Sequence, residues 1–337
     1  MSGKAKKKPK RNTLIRRLFA WAPTRALIEL QLRLTVFALT AFGPAWAYFW
    51  GRRMAGLGWL LMPRLRNVAL RNLDLCLPEL PRARRTEIAR ASFKHSVYTF
   101  LDVLMAPRLL AGERWREVIR FEGDCESYFK WEGEPRASFN LSAHLGNWEF
   151  LLLVTGRMAR GFSVVMRDAN LPLVTRWLVR YRSFARCETI DKDGALKALL
   201  HRARQGQPVA LLADQNGGDH AVEFPLFGVM ARWQAEFTRL LPRTGGRVAL
   251  GWVLRDGDRF RFVFHAPVMR TFADDTDPMK ILAWYRDWIE ERLRQMPEQY
   301  MWVHRRFKGR PQGAPDRYRD LGRRLEKDEI EAFLAGR

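Results

Sequence analysis

The stretch Ser138-Phe139-Asn140-Leu141-Ser142-Ala143-His144-Leu145-Gly146-Asn147-Trp148-Glu149 decides how the chain is read. Its first half alternates like a strand, and Gly146-Asn147 is turn chemistry. A helical run, WEFLLLVTGRMA, follows from Trp148. The spacing therefore predicts a strand that ends in a turn with His144 at its tip, then a helix carrying Glu149 in its first turn. In a continuous helix, positions five apart point about 140° away from each other. With His144 outside the helix, the loop can fold the imidazole back toward the carboxylate.

The pattern continues on both sides. EVIRFEG (117–123), GFSVVMRD (161–168), QPVALLADQ (207–215), RVALGWVLRD (247–256) and RFRFVFHAP (259–267) read as further short strands. PLVTRWLVRYRSFA (172–185), GALKALLHRARQ (194–205) and RWQAEFTRLLPR (232–243) read as helices between them. Such alternation implies an α/β fold: a mixed, mostly parallel central sheet flanked by helices. Asp256-Gly257-Asp258 reads as a tight hairpin between the last two strands. In sheets of this kind ligands gather outside the carboxyl ends of the strands, where His144 lies.

Toward the N-terminus the period becomes helical. From Met54 to Leu109 apolar residues recur three and four apart, with breaks at Pro63 and Pro78 and a start signal at Leu80-Pro81. His95 in the second of these runs reads as a surface or packed residue rather than a catalyst. Before them, LTVFALTAFGPAWAYFW (34–50) carries no charge, clusters aromatics at one end and is followed by Arg52 and Arg53. It is near the minimum length for a spanning helix, and Pro44 predicts a kink. Basic residues on both sides favour a helix lying in the interface, or re-entrant, over a clean span. Ala45-Trp46-Ala47 has the form of a cleavage site, but the run begins too late for a secretory signal, so an anchor is expected. The Lys-rich start, KAKKKPKR (4–11), has no periodicity and is expected to be disordered. The expected organisation is a basic N-terminus (1–25), membrane anchor or interfacial helices (26–62), an α/β catalytic domain (63–315) and a charged C-terminal helix or tail (316–337).

The 337 residues are 47% hydrophobic, which excludes wholesale disorder. A net charge of +23 calls for an anionic partner: a membrane surface, an acidic protein or nucleic acid. Arg dominance suits phosphate, and the 13 Trp and 21 Phe suit a membrane interface. Cys76, Cys125 and Cys187 have neither metal nor redox spacing, and an odd number argues against a disulfide framework.

A neutral imidazole can take a proton from an attacking hydroxyl, and a carboxylate on its other ring nitrogen fixes the tautomer. His144 and Glu149 fit that dyad and need no Ser or Cys nucleophile if an acceptor hydroxyl attacks directly. The same residues also fit a His at a helix start with an acid favouring the helix dipole. The spacing is not that of a zinc site. Three clusters join them: Arg180-Tyr181-Arg182, then Leu212-Ala213-Asp214-Gln215-Asn216 at a strand end with the proline-bounded turn VEFPLFG (222–228) beyond it, and PEQYMWVHRRFK (297–308).

Together these segments resemble the lipid A biosynthesis acyltransferases, within the wider glycerolipid acyltransferases that carry an H-x4-D/E motif. The resemblance is carried in order by GRRMAGLGWLL (51–61), NVALRNLDLCLPEL (67–80), AHLGNWE (143–149), ADQN (213–216), FPLFG (224–228) and PEQYMWVHRRFKGRP (297–311). It implies an enzyme at the cytoplasmic face of the inner membrane that takes an acyl chain from acyl carrier protein or acyl-CoA and needs no cofactor or metal. By the match His144 is the base and Glu149 its partner. Arg182, with Arg180 beside it, and Asp214 fall at positions the family carries, as oxyanion or phosphate contacts. Arg305, Arg306 and Lys308 are candidates for the acceptor's phosphates. The implied partners are acyl carrier protein, a phosphorylated lipid acceptor and the anionic membrane, with no nucleic acid. This chain departs from the family where it reads Asp214-Gln215-Asn216 rather than Asp-x-Asp, and in VMARWQAEFTRLL (229–241). Transfer to another glycolipid, an aminolipid or a lysophospholipid, a thioesterase, and a non-enzymatic basic membrane- or nucleic-acid-binding protein are the competing readings.

Overall fold

The computed structural model describes residues 22–134, 137–158, 161–166, 172–191, 195–217, 221–309 and 316–334. The Lys-rich start lies outside them, as does the boundary expected after 315.

Four helices open the chain: α1 (Ala22–Thr40), α2 (Pro44–Leu61), α3 (Pro63–Cys76) and α4 (Arg82–Leu109). Proline sets these boundaries, because it lacks the N–H that an interior position must donate but suits a first turn. Pro44 and Pro63 each stand at the start of a helix. The uncharged run expected as one kinked helix is in fact split. Gly43, at φ +89°, breaks the chain before Pro44, and the two halves meet at a bend of 120°. Among the described residues no single helix is long and apolar enough to cross a membrane; by length and composition only the bent pair is.

The sheet has the order β1-β9-β8-β2-β5-β3-β4. Its strands are β1 (Ile119–Glu122), β2 (Phe139–Ser142), β3 (Phe162–Met166), β4 (Cys187–Asp191), β5 (Val209–Leu212), β8 (Arg247–Arg255) and β9 (Phe262–Thr271). All neighbours are parallel except β8 and β9. That pair turns at Asp256-Gly257-Asp258, with Gly257 at φ +61° as the expected hairpin requires. The mixed, mostly parallel α/β sheet is the fold the alternation implies. Helices α5 (Cys125–Gly133), α6 (Trp148–Met158), α7 (Pro172–Phe184), α8 (Ala195–Arg204) and α10 (Pro278–Gln295) flank it.

Two readings need correction. VEFPLFG is a hairpin rather than a proline-bounded turn: β6 (Val222–Leu226) pairs antiparallel with β7 (Val229–Trp233). Phe227 and Gly228 both take positive φ, as a two-residue hairpin turn demands. The helix expected over 232–243 shrinks to α9 (Glu236–Leu240), because its first residues belong to β7.

The charged C-terminal segment is tied back onto the N-terminal helices. Arg71 donates to the carbonyls of Arg317, Arg319, Asp320 and Arg323. Buried Asp74 takes ion pairs from Arg85 and Arg324. The segment ends in α11 (Lys327–Leu334).

Candidate active site

Strands β2 and β5 are parallel neighbours, and Ser142 pairs with Leu212 at their carboxyl ends. Two residues beyond each partner stand His144 and Asp214, so the sheet register alone brings them face to face. His144 Nδ1 lies 2.8 Å from Asp214 Oδ1, and the His144 main-chain N–H donates to Oδ2 at 3.1 Å. Tyr300 donates its hydroxyl to the same Oδ2 at 3.0 Å. An ionised carboxylate only accepts, so Nδ1 carries the proton and Nε2 is left with its lone pair outward. The Gln215 amide sits 3.2 Å from Nε2, and Trp148 meets the ring edge-on. The imidazole keeps 16% exposure, whereas Asp214 is buried. Burial pushes the Asp214 carboxyl up, but the His144 charge and the donors from His144 and Tyr300 outweigh it and hold the group at about 2.

The contact expected between His144 and Glu149 is therefore replaced. Glu149 is buried in the first turn of α6 and takes a bidentate pair from Arg182: Nη2 at 2.8 Å and Nε at 3.3 Å. Its carboxylate is committed to that fork, and its main-chain carbonyl accepts from Tyr181. Arg182 Nη1 is buried without a hydrogen-bond partner. Arg180, two residues back on α7, is exposed and separate from this pair.

The loop that carries His144 is held from three sides. Gly146 sits at φ +59°, and a Cβ there would lie 2.1 Å from the carbonyl oxygen of Val253. Asn147 caps α6 through its side-chain oxygen and donates its amide to Asp102 at 2.7 Å. On α4, Ser92, His95, Thr99 and Asp102 fall on one face at helical spacing, and all are buried. Ser92 donates to the Tyr300 carbonyl, and His95 Nε2 donates to the Gly146 carbonyl at 2.9 Å. Burial first, then Arg255, lowers the His95 pKa to about 4, so it stays neutral at pH 7. The expectation of a packed His95 holds, but the residue it packs against belongs to the loop that carries His144.

The 297–308 segment divides. Arg306 is buried, lies over the Trp233 ring and donates to the Arg232 carbonyl, while Arg305 and Lys308 are exposed. Arg306 therefore braces the segment from inside, and the other two are free to meet solvent or ligand. His304 accepts from the Asn216 N–H, and burial lowers its pKa to about 4. Among the described residues no group of three His, Cys, Asp or Glu could hold a metal.

Beyond Trp148, which touches the imidazole, a small apolar cavity of about 40 Å³ lies between the sheet and α6. Small side chains on that sheet face (Ser142, Ala210 and Gly251) leave the space, and Trp148, Leu151, Leu152 and Thr155 on one face of α6 wall it. Arg182 joins the lining. Near the end away from His144, Glu132 is buried and accepts from Ser138 at 3.0 Å and from Asn140 at 3.3 Å. Burial raises its pKa to about 7 against those two donors and Arg247. A carboxyl that stays protonated when folded but ionises when unfolded loses folding free energy as pH rises from the ordinary carboxylate range to about 7. Glu132→Gln is thus expected to gain on the wild type by about 3 kcal/mol between pH 4 and pH 8. Chemical denaturation at the two pH values measures the gap.

A mostly parallel α/β sheet with a carboxylate-held histidine at the mouth of an apolar pocket suits an enzyme that moves acyl groups. Residues 23–309 match the bacterial lipid A biosynthesis acyltransferase family, and the chain belongs to it. It is an O-acyltransferase. The chain is 28% identical over 274 residues to the lipid A biosynthesis lauroyltransferase of Escherichia coli K12, covering 78% of this chain and 86% of that one. It is 25% identical to the lipid A biosynthesis palmitoleoyltransferase of the same organism, covering 80% and 87%. A lipid A biosynthesis acyltransferase of Haemophilus influenzae is 26% identical, covering 76% and 83%.

Proposed function

We propose that the protein transfers a fatty acyl chain from acyl carrier protein, or acyl-CoA, to a hydroxyl of a lipid A precursor at the cytoplasmic face of the inner membrane. The observation that carries this is a coincidence in space. The His144 imidazole and the mouth of the apolar pocket share Trp148, which touches the ring and lines the cavity.

In this reading the acyl chain lies in the pocket with its thioester carbon near His144. The acceptor hydroxyl displaces the Gln215 amide and gives its proton to Nε2 as its oxygen attacks that carbon. The imidazolium is held by Asp214. Collapse of the tetrahedral intermediate breaks the carbon–sulfur bond, and the proton passes from Nε2 to the leaving thiolate. Arg182, with Nη1 lacking a partner, is the proposed donor to the developing oxyanion, and Glu149 fixes its fork. The chemistry needs no cofactor. Arg305 and Lys308 are the proposed contacts to the acceptor's phosphates.

The first two helices are the proposed membrane contact. Phe37, Phe42, Leu57, Leu60 and Leu61 are each more than half exposed, Phe42 at 77%. Isolated soluble proteins rarely leave a patch of this kind open. Their sharp bend suits a hairpin lying in one leaflet, and the surplus of +23 suits anionic lipid and an acidic carrier.

Mass spectrometry of lipid A from the host with and without the gene tests the acceptor. Deletion is expected to remove the mass of one acyl chain. Unchanged lipid A together with loss of a chain from another glycolipid would move the acceptor.

A further inference from the structure

We propose that Tyr128 and Asn140, hydrogen-bonded to each other across the blind end of the apolar pocket, set the length of the acyl chain that the protein accepts. The proposal rests on the assignment of that pocket to the acyl chain.

Depth in the pocket is fixed by the sheet. Ser142 and Leu212 pair at the mouth, and Asn140 and Ala210 pair two residues deeper. All four line the cavity. On the opposite wall Trp148 stands at the mouth and Thr155 lies two helical turns below it. Tyr128, from α5, lines the cavity at the depth of Asn140 and is itself 1% exposed. From His144 to Asn140 is four residues, about 13 Å at strand rise.

The end is polar and braced, unlike the walls. The Tyr128 hydroxyl donates to Asn140 Oδ1 at 2.8 Å. Asn140 Nδ2 donates to Glu132 Oε1, and Ser138 donates to Glu132 Oε2. The Tyr128 ring is packed against Phe129 and Phe264. A chain one methylene too long would have to part these buried groups. The gain from burying a methylene is smaller than the loss from leaving such a pair unmade. The stop is therefore abrupt rather than graded. If these four residues only held α5 against the sheet, their loss would weaken every chain length alike.

The test uses the full chain in detergent with saturated acyl thioesters of coenzyme A, from octanoyl to palmitoyl. Competition binding and transfer are both read. The wild type is expected to show one preferred length. Tyr128→Ala is expected to move that optimum longer by about two to four carbons, the extent of the removed ring along the pocket. Asn140→Ser is expected to move it in the same direction by less, and it decides the matter if Tyr128→Ala does not fold. Leu152→Val, in the side wall, is expected to leave the optimum in place. An unmoved optimum, with all lengths weakened together in both end variants, would overturn the stop while keeping the acyl pocket. Wild-type protein that binds every length equally would remove the pocket as the acyl site, and the stop with it.

Discussion

Asp214→Asn is expected to lower kcat for acyl transfer by about 10³- to 10⁴-fold without unfolding the protein. The reason lies in which groups face each carboxylate oxygen. Oδ2 accepts from the His144 main-chain N–H and from Tyr300, and Oδ1 faces Nδ1. The main-chain N–H cannot turn away, so an asparagine must put its oxygen there and its NH2 against Nδ1. That arrangement makes Nδ1 the acceptor and moves the ring proton to Nε2, where a base needs its lone pair. The imidazolium also loses its counter-charge. Steady-state kinetics, with the thermal midpoint as a folding control, measure this. Glu149→Gln, in contrast, leaves the His144 tautomer alone and acts through the placement of Arg182.

Asp102→Ala is expected to destabilise the fold by about 3–5 kcal/mol, the cost of breaking a buried ion pair from one side. Asp102 is fully buried and holds Arg255, the Tyr48 hydroxyl at 2.5 Å and the Asn147 amide. Its removal leaves the Arg255 guanidinium inside the protein, 5% exposed, between the Tyr48, Tyr98 and Phe262 rings. Tyr48 belongs to α2 and Asn147 to the loop that carries His144, so the same substitution frees the apolar hairpin and the helix cap beside His144. Guanidinium denaturation in detergent is expected to show the loss, and residual activity at low temperature should fall further than His95→Ala, which severs one loop contact only. Asp102→Asn, which can still bond Tyr48, is expected to cost less.

The fold was legible because its signals are local. Proline marked the starts of α2 and α3, alternation marked six of the strands, and Asp256-Gly257-Asp258 marked the one hairpin in the main sheet. Cys187–Asp191 escaped because its edge position carries polar residues where a central strand would be apolar. β6 and β7 escaped because Pro225 argues against a strand, yet it sits in a two-stranded ribbon whose ladder tolerates it. The position of His144 at a strand end was legible, and the carboxylate it meets was not. Glu149 is five residues from His144 and Asp214 is seventy, and nearness in sequence favoured an acid that the structure pairs with Arg182 instead. The decisive fact is that β5 inserts between β2 and β3, which no local pattern encodes. The one available signal was that His144 and Asp214 each follow a short apolar strand by two residues, a matching offset that parallel neighbours turn into contact.

Acyl transfer by purified His144→Ala, from acyl carrier protein thioester to a lipid A precursor in detergent, tests the central claim most directly. Loss of about 10²- to 10⁴-fold in kcat, with acyl-thioester binding retained, is the result predicted for a base that contacts the acceptor and not the chain. Transfer at the wild-type rate would contradict it and take the chemistry away from the end of β2.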